Sequence, residues 1–279
     1  NLGVFAAGSA DAGWMSTPPS QPMRMVDLLR HTSGLTYGFQ QRGNIDQAYR
    51  RQHIEEFTRP GGLDGMIADL AKIPLVFSPG AHWNYSVSTD VLGYLVEKIS
   101  GKPFHVFLQE RIFGPLGMVD TGFVVPSEKA LRFTACYQLK PDGTKELQDD
   151  PETSIYLAPP SLYSGGGGLV STSADYLRFA RMLLNGGELD GERLISPKTL
   201  ALMTANHLPG GKDLTETSIS LFSEAAYSGV GFGLGFATTL DPAKTLIPGS
   251  AGDFFWGGMA STFFWVDPAE DLTVVFMTQ

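Results

Sequence analysis

Cysteine is almost missing from this sequence: Cys136 is the only one in 279 residues. That excludes an intrachain disulfide and a zinc cluster built on thiolates. It also fits a reducing compartment, so a cytoplasmic location is expected. Cationic residues are scarce as well. Lys and Arg number 20 against 29 Asp and Glu, a formal net charge of −9, and no basic stripe carries interleaved aromatics. Nucleic acid and anionic membrane are therefore not expected as partners. The longest charge-free stretch, residues 154–174, holds Pro159, Pro160 and the run Gly165 to Gly168, which makes it a loop rather than a membrane span. The histidines, His31, His53, His82, His105 and His207, show neither HExxH nor a paired metal spacing, and no Lys-Ser/Thr follows the glycine run. Metal-site and phosphate-loop signatures are thus missing, and no cofactor is expected. The opening NLGVF has no cationic segment, apolar core or small-residue cleavage site, so it does not read as a signal peptide.

What is present is the composition of an ordinary globular chain, 43% hydrophobic and 18% charged, long enough for one large domain or two intimate lobes. Residues 1–22, rich in Ala, Gly, Ser and Pro, read as a connecting loop. Helical texture is expected at 25–30, across 45–73, after Thr172 or Ser173 as cap, and after the Ser196-Pro197 pair. Asp142-Gly143 between two short apolar-polar runs resembles a hairpin turn. From 228 on, β-branched and aromatic runs separated by Asp267 to Asp271 read as antiparallel strands of one sheet. The glycines at 165–168 point to close approach of the backbone to another element or to a ligand.

The most informative stretch is HWNYSVSTDVLGYLVEKISG at 82–101. Tyr85 sits where a loop feeds a helix, and Val91, Leu92, Leu95, Val96 and Ile99 recur at the spacing of one apolar face until Gly101 supplies a left-handed cap. Spacing alone leaves Tyr85 as one of nine tyrosines.

Several collinear segments resemble the serine β-lactamase and penicillin-binding-protein superfamily, most of all its family VIII carboxylesterases. They are LLRHTSGL at 28–35, SPGAHWNYSVSTDVLGYLVEKISGKPF at 78–104, IFGPLGMVDTGF at 112–123, SGGGGLVSTSADYLRFARMLLNGG at 164–187, LISPKTLALMTANHL at 194–208 and WGGMASTFFWVDPAEDLTVVFMTQ at 256–279. The resemblance implies one α/β domain of the α+β type over 1–279, in which a mainly helical lobe at about 24–190 packs on sheet strands at about 228–279. It implies acyl transfer, with Tyr85 shuttling a proton, Ser86 and Val87 completing its triplet, and Ser86, Trp256, Gly257 and Gly258 touching substrate. It also implies that Trp256, Gly257 and Gly258 stand at the family's Lys-Thr-Gly strand, so that the Met259 N–H becomes an oxyanion donor. Tyr37 and Phe39, after HTSG, become expected pocket walls. The family's S-x-x-K pair is not found: no serine in these residues is followed three positions later by lysine, and no G-x-S-x-G elbow occurs. The expectation is that the segment with the nucleophile, and the family's first strands, precede this chain, which should then be inactive by itself.

Two departures bear on substrate. Trp256 in place of the lysine removes a cation that would grip a carboxylate, and Val87 in place of asparagine removes an amide. Both favour small neutral esters over β-lactams. A β-lactamase or D-alanyl-D-alanine peptidase remains an alternative if a cation near Arg42 or Arg50 replaces the missing grip. A non-catalytic binder of the same fold is the alternative from another class. The missing N-terminal segment, or a second copy of the chain, is the expected protein partner.

Overall fold

The computed structural model describes residues 2–219 and 227–278. Asn1 and Gln279, the outermost residues of the expected domain, lie outside that range, as does the segment 220–226. The last part of the chain forms a five-stranded antiparallel sheet in the order Leu272–Phe276, Phe263–Asp267, Phe254–Gly257, Ala237–Thr239, Val230–Phe232. Consecutive strands are neighbours throughout, which short turns such as 267–271 permit. The preceding chain supplies the helices, including Met25–Leu29, Asn44–Arg51, Gly62–Leu70, Ser88–Ser100, Ser173–Leu184 and Pro197–Thr204. This is the combination the resemblance implies, an antiparallel sheet with a helical lobe.

Local sequence accounts for several boundaries. Thr172 Oγ1 accepts the Asp175 N–H at 3.2 Å and starts Ser173–Leu184. Ser196 Oγ accepts the Thr199 N–H at 3.1 Å ahead of Pro197. Both satisfy amides that a helix start would otherwise leave unpaired. Gly101, at φ 69°, closes Ser88–Ser100 by donating its N–H to the Glu97 carbonyl at 2.9 Å. The Asp142-Gly143 turn joins strands Cys136–Leu139 and Lys145–Asp149.

Three apolar clusters hold these layers. One, around Ile54, Met66, Leu75, Val87 and Leu162, lies among the early helices. A second brings Ala180, Met182 and Leu183 of Ser173–Leu184 onto Phe254, Phe264 and Val266 of the sheet. A third, around Trp83, Leu214, Tyr227, Phe232 and Ala237, joins the sheet to the loop before Ser88. Each large side chain so buried contributes about 1.5–3 kcal/mol.

Two expectations are corrected. Residues 1–22 are not a plain loop, because Val4–Ser9 and Gly13–Thr17 pair as an antiparallel hairpin. Phe5 N–H donates to the Leu75 carbonyl at 2.8 Å, which ties the hairpin to the helical lobe. Its small residues conceal the alternation by which a strand is read. Ile99 does not share the buried face of its helix, being 76% exposed. Among the described residues, no helix is long and apolar enough to cross a membrane.

Candidate active site

The loop before helix Ser88–Ser100 is strapped to the HTSG segment along its length. Asn84 N–H donates to the His31 carbonyl at 2.9 Å and Val87 N–H to the Thr36 carbonyl at 3.2 Å. The Asn84 side-chain amide donates to the Leu35 carbonyl at 2.8 Å, and Gln40 Nε2 donates to the Tyr85 carbonyl at 2.6 Å. With its backbone held from both sides, Tyr85 has a defined direction in which to present its ring.

That ring enters an aromatic enclosure. Trp256 lies 5.4 Å away between centroids, Tyr37 and His31 each 5.0 Å, and Trp83 stacks at 6.4 Å. Phe39 stacks on Tyr37 at 4.9 Å and is 40% exposed, forming the outer part of the same wall. Residues 37, 39, 85 and 256 are therefore brought together. Burial raises the Tyr85 pKa above its ordinary value, while hydrogen bonds from the Trp256 indole and the Tyr37 hydroxyl act in the opposite direction. The Tyr37 hydroxyl is itself pushed well up by burial and by the nearby Asp90 carboxylate, so it remains a donor.

Met259, 87% exposed, lies in the turn after strand Phe254–Gly257, and its N–H has no acceptor among the described residues. An N–H at such a turn can donate to a developing oxyanion. The two preceding glycines differ in what they require. A Cβ on Gly258 would lie 2.3 Å from Thr262 Oγ1 across its own hairpin, whereas one on Gly257 would meet nothing closer than 3.5 Å. Gly258 is thus accounted for by the hairpin itself and needs no ligand to explain it.

Ser86 points elsewhere. It is fully buried, and its Oγ lies 3.3 Å from His31 Nδ1 and 2.8 Å from Ser88 Oγ, which in turn lies 2.7 Å from Ser33 Oγ. The expected substrate contact by its side chain is replaced by an internal hydroxyl chain beneath Tyr85. Burial lowers the His31 pKa to about 3, so its ring is neutral over the ordinary pH range. Composition gives no hint of that role for His31, and only its place in the HTSG string marks it.

Both arginines considered as a replacement carboxylate grip are engaged. Arg42 donates to Asn84 Oδ1 at 2.9 Å and Thr36 Oγ1 at 3.1 Å, and pairs with Asp46 at 3.6 Å. Arg50 donates to the Gly38 carbonyl. The glycine run approaches another element, as expected: a Cβ on Gly165 would fall 2.1 Å from the Thr89 carbonyl oxygen, and one on Gly166 would fall 2.7 Å from the Tyr37 hydroxyl. Asp90, in the first turn of the tyrosine helix, holds this run by accepting from Ser164 Oγ and from the Gly166 N–H at 3.3 Å. Burial nevertheless raises its pKa.

The beta-lactamase family model matches residues 12–279. The chain belongs to the β-lactamase family. It is similar to Protein Rv1367c of Mycobacterium tuberculosis (strain ATCC 25618 / H37Rv), 38% identical over 277 residues, 98% of this chain and 66% of that protein. It is also similar to Esterase EstB of Burkholderia gladioli, 33% identical over 280 residues, 93% of this chain and 65% of the esterase. The chain thus spans slightly under two thirds of the length of these curated relatives. Among solved structures, EstCE1, described as a hydrolase with promiscuous acyltransferase activity, superposes with a TM-score of 0.74 at 27% identity, covering 96% of this chain and 68% of that one. Simvastatin synthase (LovD) from Aspergillus terreus, at 23% identity and a TM-score of 0.77 over 99% of this chain and 68% of its own, shares the fold. This β-lactamase family therefore has esterase and acyltransferase members among the relatives of the chain.

Proposed function

We propose that this chain carries the proton-shuttle and oxyanion side of a serine esterase that cleaves short-chain carboxylic esters through an acyl-serine intermediate. The observation that carries the reading is the meeting of Tyr85 with Trp256, rings 5.4 Å apart, on the strand that leads into the turn holding Met259. These residues contain no S-x-x-K pair. The nucleophilic serine and its lysine accordingly come from chain outside them, and this chain alone forms no acyl-enzyme.

Once its own phenolic proton has passed to the lysine that accompanies the serine, Tyr85 accepts the serine proton as the serine oxygen attacks the ester carbon, and the Met259 N–H donates to the carbonyl oxygen as it becomes negative. Collapse of the tetrahedral adduct expels the alkoxide, to which Tyr85 returns the proton, and water repeats the sequence on the acyl-serine. Indole and phenol donors at Tyr85 Oη lower the energetic cost of a transient phenolate, and a cationic lysine nearby adds to that effect. The site presents an indole where a carboxylate-gripping cation would stand, and Arg42 and Arg50 have other partners, which supports neutral esters over β-lactams. Esterase EstB and the hydrolase EstCE1 support the same direction.

The test is the full-length gene product assayed side by side with p-nitrophenyl butyrate and nitrocefin. Faster turnover of the ester is expected, and faster turnover of nitrocefin would overturn the preference. A non-catalytic binder would give no serine adduct with a fluorophosphonate in mass spectrometry.

A further inference from the structure

The wall that faces Tyr85 is held in place by groups that take no part in the proposed chemistry. Gly38, between Tyr37 and Phe39, donates its N–H to Glu55 Oε1, and its carbonyl accepts from Arg50 Nη1. Each end of this residue is therefore gripped by one member of an oppositely charged pair, one from helix Asn44–Arg51 and one from the chain just after it. A Cβ at residue 38 would lie 2.8 Å from Arg50 Cγ and 3.1 Å from Glu55 Oε1, so a side chain there would force the grip open. Tyr37 in turn packs on Tyr85 at 5.0 Å and Phe39 on Tyr37 at 4.9 Å.

Glu55 sits among groups of mixed charge. Arg50, Asp46 and Tyr49 face it from helix Asn44–Arg51, Asp90 from helix Ser88–Ser100, and Tyr37 from the wall itself. Its sequence neighbours His53 and Glu56 pair with each other at 2.5 Å in an exposed position. Burial, with the Asp90 and Asp46 carboxylates, pushes the Glu55 carboxyl up to about 7, while the Gly38 N–H and Arg50 hold it back. A neutral carboxyl can still accept an N–H bond, but it loses the charge-assisted part of that bond and its attraction to Arg50.

We propose that Glu55 is a positioning residue whose carboxylate form, with Arg50, clamps Gly38 and fixes the Tyr37–Phe39 wall against Tyr85, and whose protonation loosens that wall. The catalytic consequence rests on the esterase reading above, but the clamp itself does not.

The experiment therefore has two readouts on the ¹⁵N-labelled full-length protein. The Gly38 amide proton shift, followed from pH 5 to 9, should titrate with a midpoint near 7 and be flat in Glu55→Gln, at the wild-type acid-limit position. In Arg50→Gln the midpoint should move upward, which keeps the clamp testable if Glu55→Gln does not fold. In parallel, the ratio of kcat/KM for p-nitrophenyl butyrate in Glu55→Gln to that in wild type should be close to one at pH 5 and fall to about one tenth at pH 8, with a midpoint near 7, on top of any limb from the proton path itself. A flat wild-type Gly38 amide, or the same titration in Glu55→Gln, would overturn the clamp. If the amide titrates as expected but no ester is turned over, the clamp stands and the esterase reading fails. If that ratio does not change with pH, the positioning role fails while the esterase reading survives.

Discussion

Replacing Gly165 by alanine gives a graded test of how Tyr85 and its helix are supported. The new Cβ would fall 2.1 Å from the Thr89 carbonyl oxygen, 2.8 Å from the Thr89 carbonyl carbon and 3.2 Å from the Gly93 nitrogen, all of them backbone atoms of the helix start. Ordinary contact begins near 3.4 Å, so the loop and helix must separate by roughly 1 Å, and a core forced apart in this way loses about 1–3 kcal/mol. The displaced loop would draw the adjacent Gly166 away from Asp90 and from the Tyr37 hydroxyl. Gly167→Ala serves as the internal control, because its Cβ would meet only Phe57 Cζ, at 3.6 Å. Urea unfolding of the full-length pair should place Gly165→Ala about 1–3 kcal/mol below wild type and Gly167→Ala within about 0.5 kcal/mol of it. Equal stabilities for the two variants would refute the close approach as the reason for the glycines.

Further outcomes follow from other contacts. Trp256→Phe keeps an aromatic ring but removes the indole donor to Tyr85, so the acid–base profile of ester hydrolysis should move to higher pH, and kcat/KM at pH 7 should fall about 10- to 100-fold, the worth of one hydrogen bond to a charged group. An unchanged profile would remove Trp256 from the proton path. Asp27 is fully buried and accepts from the Arg24 N–H, Arg30 Nη2 and Thr32 Oγ1. Burial opposes its charge, but these partners prevail and its pKa is lowered. A depressed carboxylate stabilises the fold above its unfolded pKa, and the contribution is lost as pH falls through the folded value. Asp27→Asn should therefore destabilise at pH 7 and show a flatter acid-unfolding curve. Expressed by itself, this 30.1 kDa chain should self-associate in sedimentation, because no strand among the described residues covers the outer edge of Leu272–Phe276. A cooperatively melting monomer would contradict that.

Much of the site could be read in the sequence, where chemistry and local geometry coincide. Tyr85 before a helix capped by Gly101, and the Trp256 strand near the end of the chain, were marked by motif and by turn residues, and the fold brings them into contact. Long-range packing hid the rest. Ile99 obeys the helix period, yet nothing among the described residues covers it. Ser86 belongs to the tyrosine triplet, but the neighbouring His31, Ser88 and Ser33 turn its hydroxyl inward. Glu55 belongs to a run of mixed sign, Arg50, Arg51, Glu55 and Glu56, in which nothing marks burial, and only its contact with Gly38 makes it a half-buried acid. The Val4–Ser9 hairpin escaped because its strands lack a clean alternation of apolar and polar residues.

The most direct measurement of the central claim is kcat/KM for p-nitrophenyl butyrate in the full-length protein with Tyr85→Phe, which deletes one oxygen and keeps the ring. A proton shuttle in that position predicts a loss of about 100- to 10,000-fold with the folded state intact. Activity within twofold of wild type would show that the phenol in the Trp256 crevice does no proton transfer, and the esterase mechanism drawn from it would be wrong.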